Sequence, residues 1–441
     1  MHIVHIYDGH EKVFNGRGSV PGVVWNVARE SAAAGTDVTV IERKWDGLSS
    51  AVEHEGVQFK RLTLATGPDE PWTRVPYQTV NSPLGLGRLV ADRTNFAIQT
   101  LRTLRHIDFD VLHVHLPFAA NVLVTVAPWL RDRVVYTAHL GELRLNALEE
   151  TGPRDGSGSM ETEAGKGGYG VAGPESDGTG DLTIPSVVRY LSPDYYLVQR
   201  AAQTTVLNPE IRDAFVELGA SPATITAIPN GVDIDRFRSL PSDATAEVRN
   251  RYDLADTRLV LFVGTVMPRK GVVELVRAMA TAVTHTNDNR DVKLLIVGEA
   301  DLDPAYTDRV QRTIRDAGMQ SHVEITGFVS EADLRALYAL ADVFVLPSRE
   351  EGFGMTVVEA MAAGTPIVAT RVGSVPNVVE PGQHGFVVAP GNIAELADGI
   401  ERLLENTEAR NHMGDRARQR AEAYSWRSIT NEFTSIYERV A

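Results

Sequence analysis

The chain has 441 residues, no cysteine, and 58 acidic against 43 basic side chains, for a formal net charge of −15. That length suits about two or three domains, and 43% apolar with 23% charged residues excludes wholesale disorder. Without cysteine there are no disulfides, thiolate metal sites or cysteine nucleophiles, and the negative charge argues against nucleic acid as the partner.

The chain opens with an apolar run, His2 to Tyr7, that predicts a strand. His2, His5, Asp8, His10 and Glu11 interrupt any apolar leader. Gly16-Arg-Gly-Ser19 follows the strand and resembles a dinucleotide fingerprint only loosely, because Pro21 intervenes before a helix. Helical spacing predicts a helix over Val23–Ala34, ended by Gly35, and then a strand at Val38–Ile41. Strand–loop–helix–strand is the start of a parallel α/β sheet. Between them and the next strand, the stretch 88–106 carries Arg88, Arg93, Arg102 and Arg105 against Asp92, a basic island in an acidic chain. Such a stretch is either a solvated helix face or a site of peripheral membrane contact. Leu116 to Leu130 is the best uncharged apolar stretch, but it contains Pro117, Asn121 and Pro128 and is too short to span a bilayer. The expectation is a soluble, cytoplasmic protein.

Further strands are predicted at Asp110–His115, Val134–Thr137 and Thr204–Leu207, the last followed by a helix over Pro209–Leu218 and a turn at Pro229-Asn-Gly-Val-Asp233. His113 and His115 alternate along a strand and read as core or supporting residues rather than metal ligands. His139 lies just past Val134–Thr137, at a carboxyl end, where side chains face a ligand. The segment 151–183, rich in Gly, Ser, Asp and Glu, cannot repay its ordering entropy and reads as a flexible insertion.

The rhythm restarts at Arg258, with strands at Leu259–Val263, Lys293–Val297, Val323–Thr326, Val343–Leu346 and Ile367–Ala369. Continuous apolar runs alternating with helices indicate strands covered on both faces. The fold class is therefore α/β, two doubly wound Rossmann-like domains in series, with the ligand held in the cleft between them. The division expected is 1–238 for the first domain, 239–424 for the second and 425–441 for a closing helix. Asp-x-Asp pairs at Asp108/Asp110, Asp233/Asp235 and Asp301/Asp303 read as structural: a helix end, a turn and a loop.

Two loops of the second half carry chemistry. Gly264-Thr-Val-Met-Pro-Arg-Lys-Gly271 follows a strand and precedes a helix. Only six lysines occur, a scarcity that fits a salt-rich habitat and equally a GC-rich coding bias, and Lys270 is one of them. Arg269 and Lys270 together can clamp a pyrophosphate, although the loop is not a Walker motif. In Leu346-Pro-Ser-Arg-Glu-Glu-Gly-Phe-Gly-Met-Thr-Val-Val-Glu359, a strand leads through Gly352 and Gly354 into a helix from about Met355 to Ala363. Its N-terminus favours phosphate. Glu351 and Glu359 stand eight residues apart and can each accept from paired hydroxyls, whereas Glu350 would pair at that spacing with Val358. Hydroxyl-binding carboxylates beside phosphate-binding amides suit a nucleotide sugar.

These motifs, together with Tyr136-Thr-Ala-His139, Asn230-Gly-Val-Asp233 and Ser425-Trp426, resemble glycosyltransferase family 4 over nearly the whole chain. The resemblance implies a retaining, metal-independent hexosyltransferase of GT-B fold, with no cofactor, and the last helix crossing back to the first domain. Arg269 and Lys270 would hold the donor diphosphate, Glu359 the ribose, and Glu351 the transferred sugar. Gly264, Gly354, Met355 and Thr356 would contact the donor, His139 would bind its sugar from the opposite domain, and Gly18 would approach phosphate or acceptor. The donor would be a UDP-, GDP- or dTDP-sugar and the acceptor a sugar or lipid-linked hydroxyl in glycan, glycolipid or polysaccharide assembly. Alternatives are a nucleotide-sugar epimerase, a phosphorylase or an inactive homologue; the paired glutamates and the Asn-Gly-Val-Asp turn speak against the first. The chain departs from the family pattern in three places. Thr265 stands where an Arg often follows the glycine, Gly18-Ser19 replaces a double glycine, and Gly373-Ser-Val-Pro-Asn377 stands for Gly-Gly-x-Pro-Glu.

Overall fold

The computed structural model describes residues 1–16, 19–67, 82–139, 192–238, 242–285 and 291–441; Gly18 and the segment 151–183 lie outside the described residues. The first strands are β1 (His2–Tyr7), β2 (Asp37–Arg43), β3 (Ala51–His54) and β4 (Val57–Leu62). They are followed by β5 (Val111–Val114), β6 (Val134–Ala138), β7 (Gln203–Val206) and β8 (Ile225–Ala227). Among the described residues these eight form one sheet in the order β3-β4-β2-β1-β5-β6-β7-β8, parallel throughout except for the antiparallel β3–β4 hairpin at its edge. The order reverses at β1, where such a sheet opens a crevice for ligands.

The second sheet comprises β9 (Thr257–Val263), β10 (Asp291–Val297), β11 (Val323–Gly327), β12 (Val343–Leu346), β13 (Ile367–Thr370) and β14 (Gly385–Val388). Their order is β11-β10-β9-β12-β13-β14, all parallel. From Val260 to Phe262 and from Val343 to Leu346 every side chain is buried, as expected for strands with helices on both faces.

Helix α1 (Ser19–Ala33) starts four residues before the Val23 expected from spacing. Pro21 lies in its first turn, where no amide hydrogen is needed, so the proline begins the helix rather than delaying it. Helix α2 (Pro83–Leu104) is capped by Ser82, whose side chain accepts from the Gly85 amide at 3.1 Å. The arginines of 88–106 divide. Arg93 is buried and paired with Asp92 at 2.6 Å and Asp8 at 3.5 Å, and Asp92 also takes Arg43. A buried pair of this kind is costly to break by removing one partner, so Arg93 and Asp92 belong to the core, leaving Arg88, Arg102 and Arg105 as the basic face. Asp108 and Asp110 stand beyond the end of α2, in the turn into β5, where Asp110 accepts from the His2 amide at 2.7 Å.

In the second half, α3 (Val272–His285), α4 (Glu331–Leu340) and α5 (Met355–Ala363) position the site. Val232, Ile234 and Phe237 already pack in the second domain's core, which puts the hand-over between domains a few residues before 238. The closing helix α6 (Trp426–Val440) returns to the first domain. Trp426, Ile429, Phe433, Ile436 and Tyr437 pack on Ile3, Val23, Val111 and Val135. Burying each such side chain contributes roughly 1.5–3 kcal/mol.

Candidate active site

A cavity of about 380 Å³ opens between the two domains. From the first domain it is lined by Ser19, Val20, His139, Leu207 and Asn230, and from the second by Lys270 and the run Glu351 to Thr356. Every one of these lies at the carboxyl end of a strand or the start of a helix, as the parallel topology requires.

Backbone conformation shapes the second-domain wall. Gly354 has φ 82° and begins α5, so the first-turn amides of Met355 and Thr356 have no helical carbonyl to satisfy them, and both residues line the cavity. Gly271 has φ 66°, and a Cβ there would lie 2.0 Å from the Pro347 carbonyl oxygen. That close approach brings the Lys270 loop against the loop after β12. The result is an ion pair between Lys270 Nζ and Glu351 Oε2, both largely buried. Glu351 also accepts from the Gly352 amide at 3.2 Å and the Ser348 hydroxyl at 3.5 Å.

Glu359 stands apart from this wall. It does not line the cavity; Tyr338 on α4 donates to it at 2.8 Å, and burial pushes its carboxyl above the usual range. Gly264 does not line it either. Its amide donates to the Val297 carbonyl at 2.9 Å, and a Cβ there would face the Phe262 ring at 3.2 Å and the Lys270 stem at 3.9 Å. Nor does Arg269 reach the wall. Its carbonyl accepts from the Arg349 amide at 2.7 Å, so the structure brings one cation of the expected clamp, Lys270, to the cavity.

Across the cleft, His139 follows β6, and its Nε2 is 3.3 Å from His115 Nδ1. Burial lowers its pKa to about 4, so the imidazole is neutral. Ser19, at the start of α1, shares with Val20 a second cavity of about 230 Å³ in the first domain. Tyr7, His10, Glu11, Leu116 and Phe118 are among the residues that line it.

The Gly373–Asn377 departure has a structural account that spacing could not give. Gly373 has φ 49°, and a Cβ would meet the Glu351 carbonyl oxygen at 2.0 Å. Asn208 Nδ2 donates to Ser374 Oγ at 3.1 Å, and Asn377 Nδ2 donates to Glu210 at 3.2 Å, both across the domain boundary. A glutamate at 377 would face Glu210 with like charge. Asp303, in one of the Asp-x-Asp pairs, caps a helix by accepting from the Tyr306 amide at 3.0 Å.

A family model described as "Glycosyl transferases group 1" matches residues 245–420, and one described as "Glycosyltransferase Family 4" matches 20–236. A D-inositol 3-phosphate glycosyltransferase of Corynebacterium efficiens is 30% identical over 418 residues, 94% of this chain and 88% of that protein. A GDP-mannose-dependent alpha-(1-6)-phosphatidylinositol monomannoside mannosyltransferase of Mycobacterium tuberculosis is 34% identical over 230 residues, 51% of this chain and 57% of that one. Among solved structures, Anabaena Alr3699/HepE in complex with UDP superposes over 100% of both chains with a TM-score of 0.70 at 18% identity.

Proposed function

Because the chain belongs to glycosyltransferase family 4 and is a glycosyltransferase of GT-B architecture, we propose that it transfers a hexose with retention, without a metal, from a nucleotide sugar to a hydroxyl acceptor. The observation that carries this reading is the convergence of Lys270, Glu351, the α5 amides and His139 on one cavity.

Lys270 and Glu351 pair with one another in the cleft wall. A donor diphosphate competes for Lys270 and for the Met355 and Thr356 amides, which supply the charge compensation a metal would otherwise give. Glu351, released from its partner, accepts from hydroxyls of the transferred sugar. Glu359, which Tyr338 holds behind the cavity lining, takes the ribose hydroxyls where the nucleoside extends past that lining. His139 binds the sugar from the other side. As the bond to the anomeric carbon lengthens, charge grows on the leaving phosphate, and Lys270 and the amides stabilise it. That phosphate takes the acceptor's proton on the same face of the sugar, so the anomeric configuration is kept.

The acceptor enters through the cavity beside Ser19 and Val20, whose Leu116 and Phe118 wall and Glu11 carboxylate suit a polyhydroxylated molecule with an apolar face. UDP is bound by the Anabaena protein, and GDP-mannose is named for the mycobacterial one; this chain's donor falls in the same class of nucleotide sugars. No helix among the described residues is long and apolar enough to cross a membrane. Lipid-linked acceptors would be met instead at α2, where Leu84, Leu86, Val90 and Ile98 are exposed and Arg102 stands in the last turn. Cosedimentation with anionic vesicles, lost on Leu86→Asp, tests that contact.

The main test is incubation with UDP-, GDP- and dTDP-sugars while following melting temperature and nucleotide release. If no nucleotide sugar raises the melting temperature, the transferase reading fails. The anomeric configuration of the product, read by proton NMR, decides retention.

A further inference from the structure

Three histidines outside the donor site cluster behind His139. His5 lies on β1, His113 on β5, His115 just past β5 and His139 just past β6. Each is spaced by an even number of residues from Ile3, Val111 or Val135, so all four project from the sheet face that α6 covers. His5 Nδ1 is 3.0 Å from His115 Nε2, and His115 Nδ1 is 3.3 Å from His139 Nε2. Their rings stack, with centroids 5.4 and 5.6 Å apart and planes within 17° and 21°.

His113 stands beside this line. Its Nδ1 is 2.7 Å from the Tyr437 hydroxyl and its Nε2 is 2.7 Å from Thr137 Oγ1. It could join His5 and His115 around an ion only by giving up one of those bonds, so the group is a hydrogen-bonded column first.

A neutral imidazole has one N–H and one lone pair, and a bond between two rings uses one of each. The line His5–His115–His139 therefore admits two proton arrangements, and both end at His5 Nε2. That atom is buried and has no partner among the described residues. In one arrangement it carries a hydrogen that nothing accepts; in the other it is a bare lone pair. Orphaned buried donors are rarer than under-used acceptors, which favours the second. His5 Nδ1–H then donates to His115, His115 Nδ1–H donates to His139 Nε2, and His139 keeps its own hydrogen on Nδ1.

We propose that His115, held in turn by His5, is a positioning residue that fixes His139 as the neutral Nδ1–H tautomer, so that His139 meets the transferred sugar as a hydrogen-bond donor. The inference rests on the transferase reading for the identity of that sugar. Burial supports the neutral state along the whole line, lowering His139 to about 4, His5 to about 3 and His115 well below the ordinary histidine value.

Two-bond nitrogen–proton correlation spectra of ¹⁵N-histidine-labelled protein report each ring's tautomer, with the His139 signals assigned by their loss in His139→Gln. The expected wild-type pattern is Nδ1–H. In His115→Phe, which keeps a ring and removes both nitrogens, His139 should turn to a mixture of tautomers. Turnover should fall about tenfold, the loss of one hydrogen bond of ordinary strength to the sugar, with the donor KM changed far less. His115→Asn, whose side-chain amide nitrogen overlies Nδ1, should restore the tautomer and most of the turnover. An Nε2–H pattern in the wild type overturns the proposal even if no variant folds. So does an unchanged tautomer and turnover in His115→Phe. Because the spectrum is taken on unliganded protein, a wrong tautomer overturns this inference alone. A chain that releases nucleotide from no sugar donor overturns the transferase reading and with it the role given to His139.

Discussion

Replacing His5 with Phe should make the fold less sensitive to acid. His5 is fully buried at the centre of the first sheet, and burial lowers its pKa from 6.5 to about 3. It is neutral in the fold and takes a proton on unfolding, so its contribution is complete above pH 6.5 and drains away as pH falls toward 3. Between pH 6 and pH 4.5 the unfolded chain binds up to one proton more at this site, so stability falls at up to 1.36 kcal/mol per pH unit, about 2 kcal/mol over the interval. His113, His115 and His139 act in the same direction, while Asp8 and Glu359, whose carboxyls burial raises, act in the opposite one. His139, Asp8 and Glu359 cancel in a difference between wild type and His5→Phe. A charged His5 also lowers His113 and His115, so both rise slightly in the variant and add to its lower acid sensitivity. The assay is urea unfolding followed by circular dichroism at several pH values. Phe keeps a ring in the same space, so the variant loses the His115 bond without opening a cavity. Parallel stability curves for the two proteins would refute the neutral, buried state of His5.

Lys270→Ala should weaken nucleotide-sugar binding at least tenfold by calorimetric titration. Glu351→Gln frees Lys270 from its partner and should leave nucleoside diphosphate binding equal or tighter while turnover drops about a hundredfold; parallel losses in both variants would sink the competition proposed for Lys270. Gly271→Ala puts a Cβ 2.0 Å from the Pro347 carbonyl at φ 66°, and should cost about 2 kcal/mol or more in denaturant unfolding. Tyr338→Phe removes the hydroxyl that Glu359 accepts from, and should raise the donor KM by about three- to tenfold, read in initial-rate kinetics.

The second domain was the more legible half, and the reason is burial. Its strands are covered on both faces and write themselves as uninterrupted apolar runs, from Leu259 to Val263 and from Val343 to Leu346. The strands that spacing missed are partly exposed or short: the β3–β4 hairpin alternates Gln58 and Lys60 with Val57 and Phe59, β8 is three residues long and β14 four. At the site, eight-residue spacing selected Glu351 over Glu350, and Glu351 is the one in the cavity. What spacing could not convey was pairing between distant segments. Lys270 and Glu351 are 81 positions apart. His5 meets His113 only through the β1–β5 register. Arg93 and Asp92 look like surface charges until Asp8 and Arg43 are brought onto them.

Two motifs that are separate in the chain form one joint. The Val232 amide donates to the Tyr424 carbonyl at 2.7 Å, and Val232 bridges to Ser425, so both crossings between the domains are stitched together. A Cβ on Gly231 would lie 2.4 Å from Trp426 Cε3 and 2.5 Å from Cδ2. The glycine of Pro229-Asn-Gly-Val-Asp233 is thus there for space, to let the Trp426 ring close over the crossing. Gly231→Ala must displace a rigid indole at the head of α6, and overpacking of this kind costs about 1–3 kcal/mol. Because α6 also carries Tyr437 to His113, a shift of Trp426 should reach the histidine column as well as the joint. The measurements are denaturant stability, the emission maximum of Trp426 judged against Trp426→Phe, and turnover. A Gly231→Ala protein with unaltered stability and emission would show that the indole has room to spare. It would then remove the steric reason for a glycine at this turn.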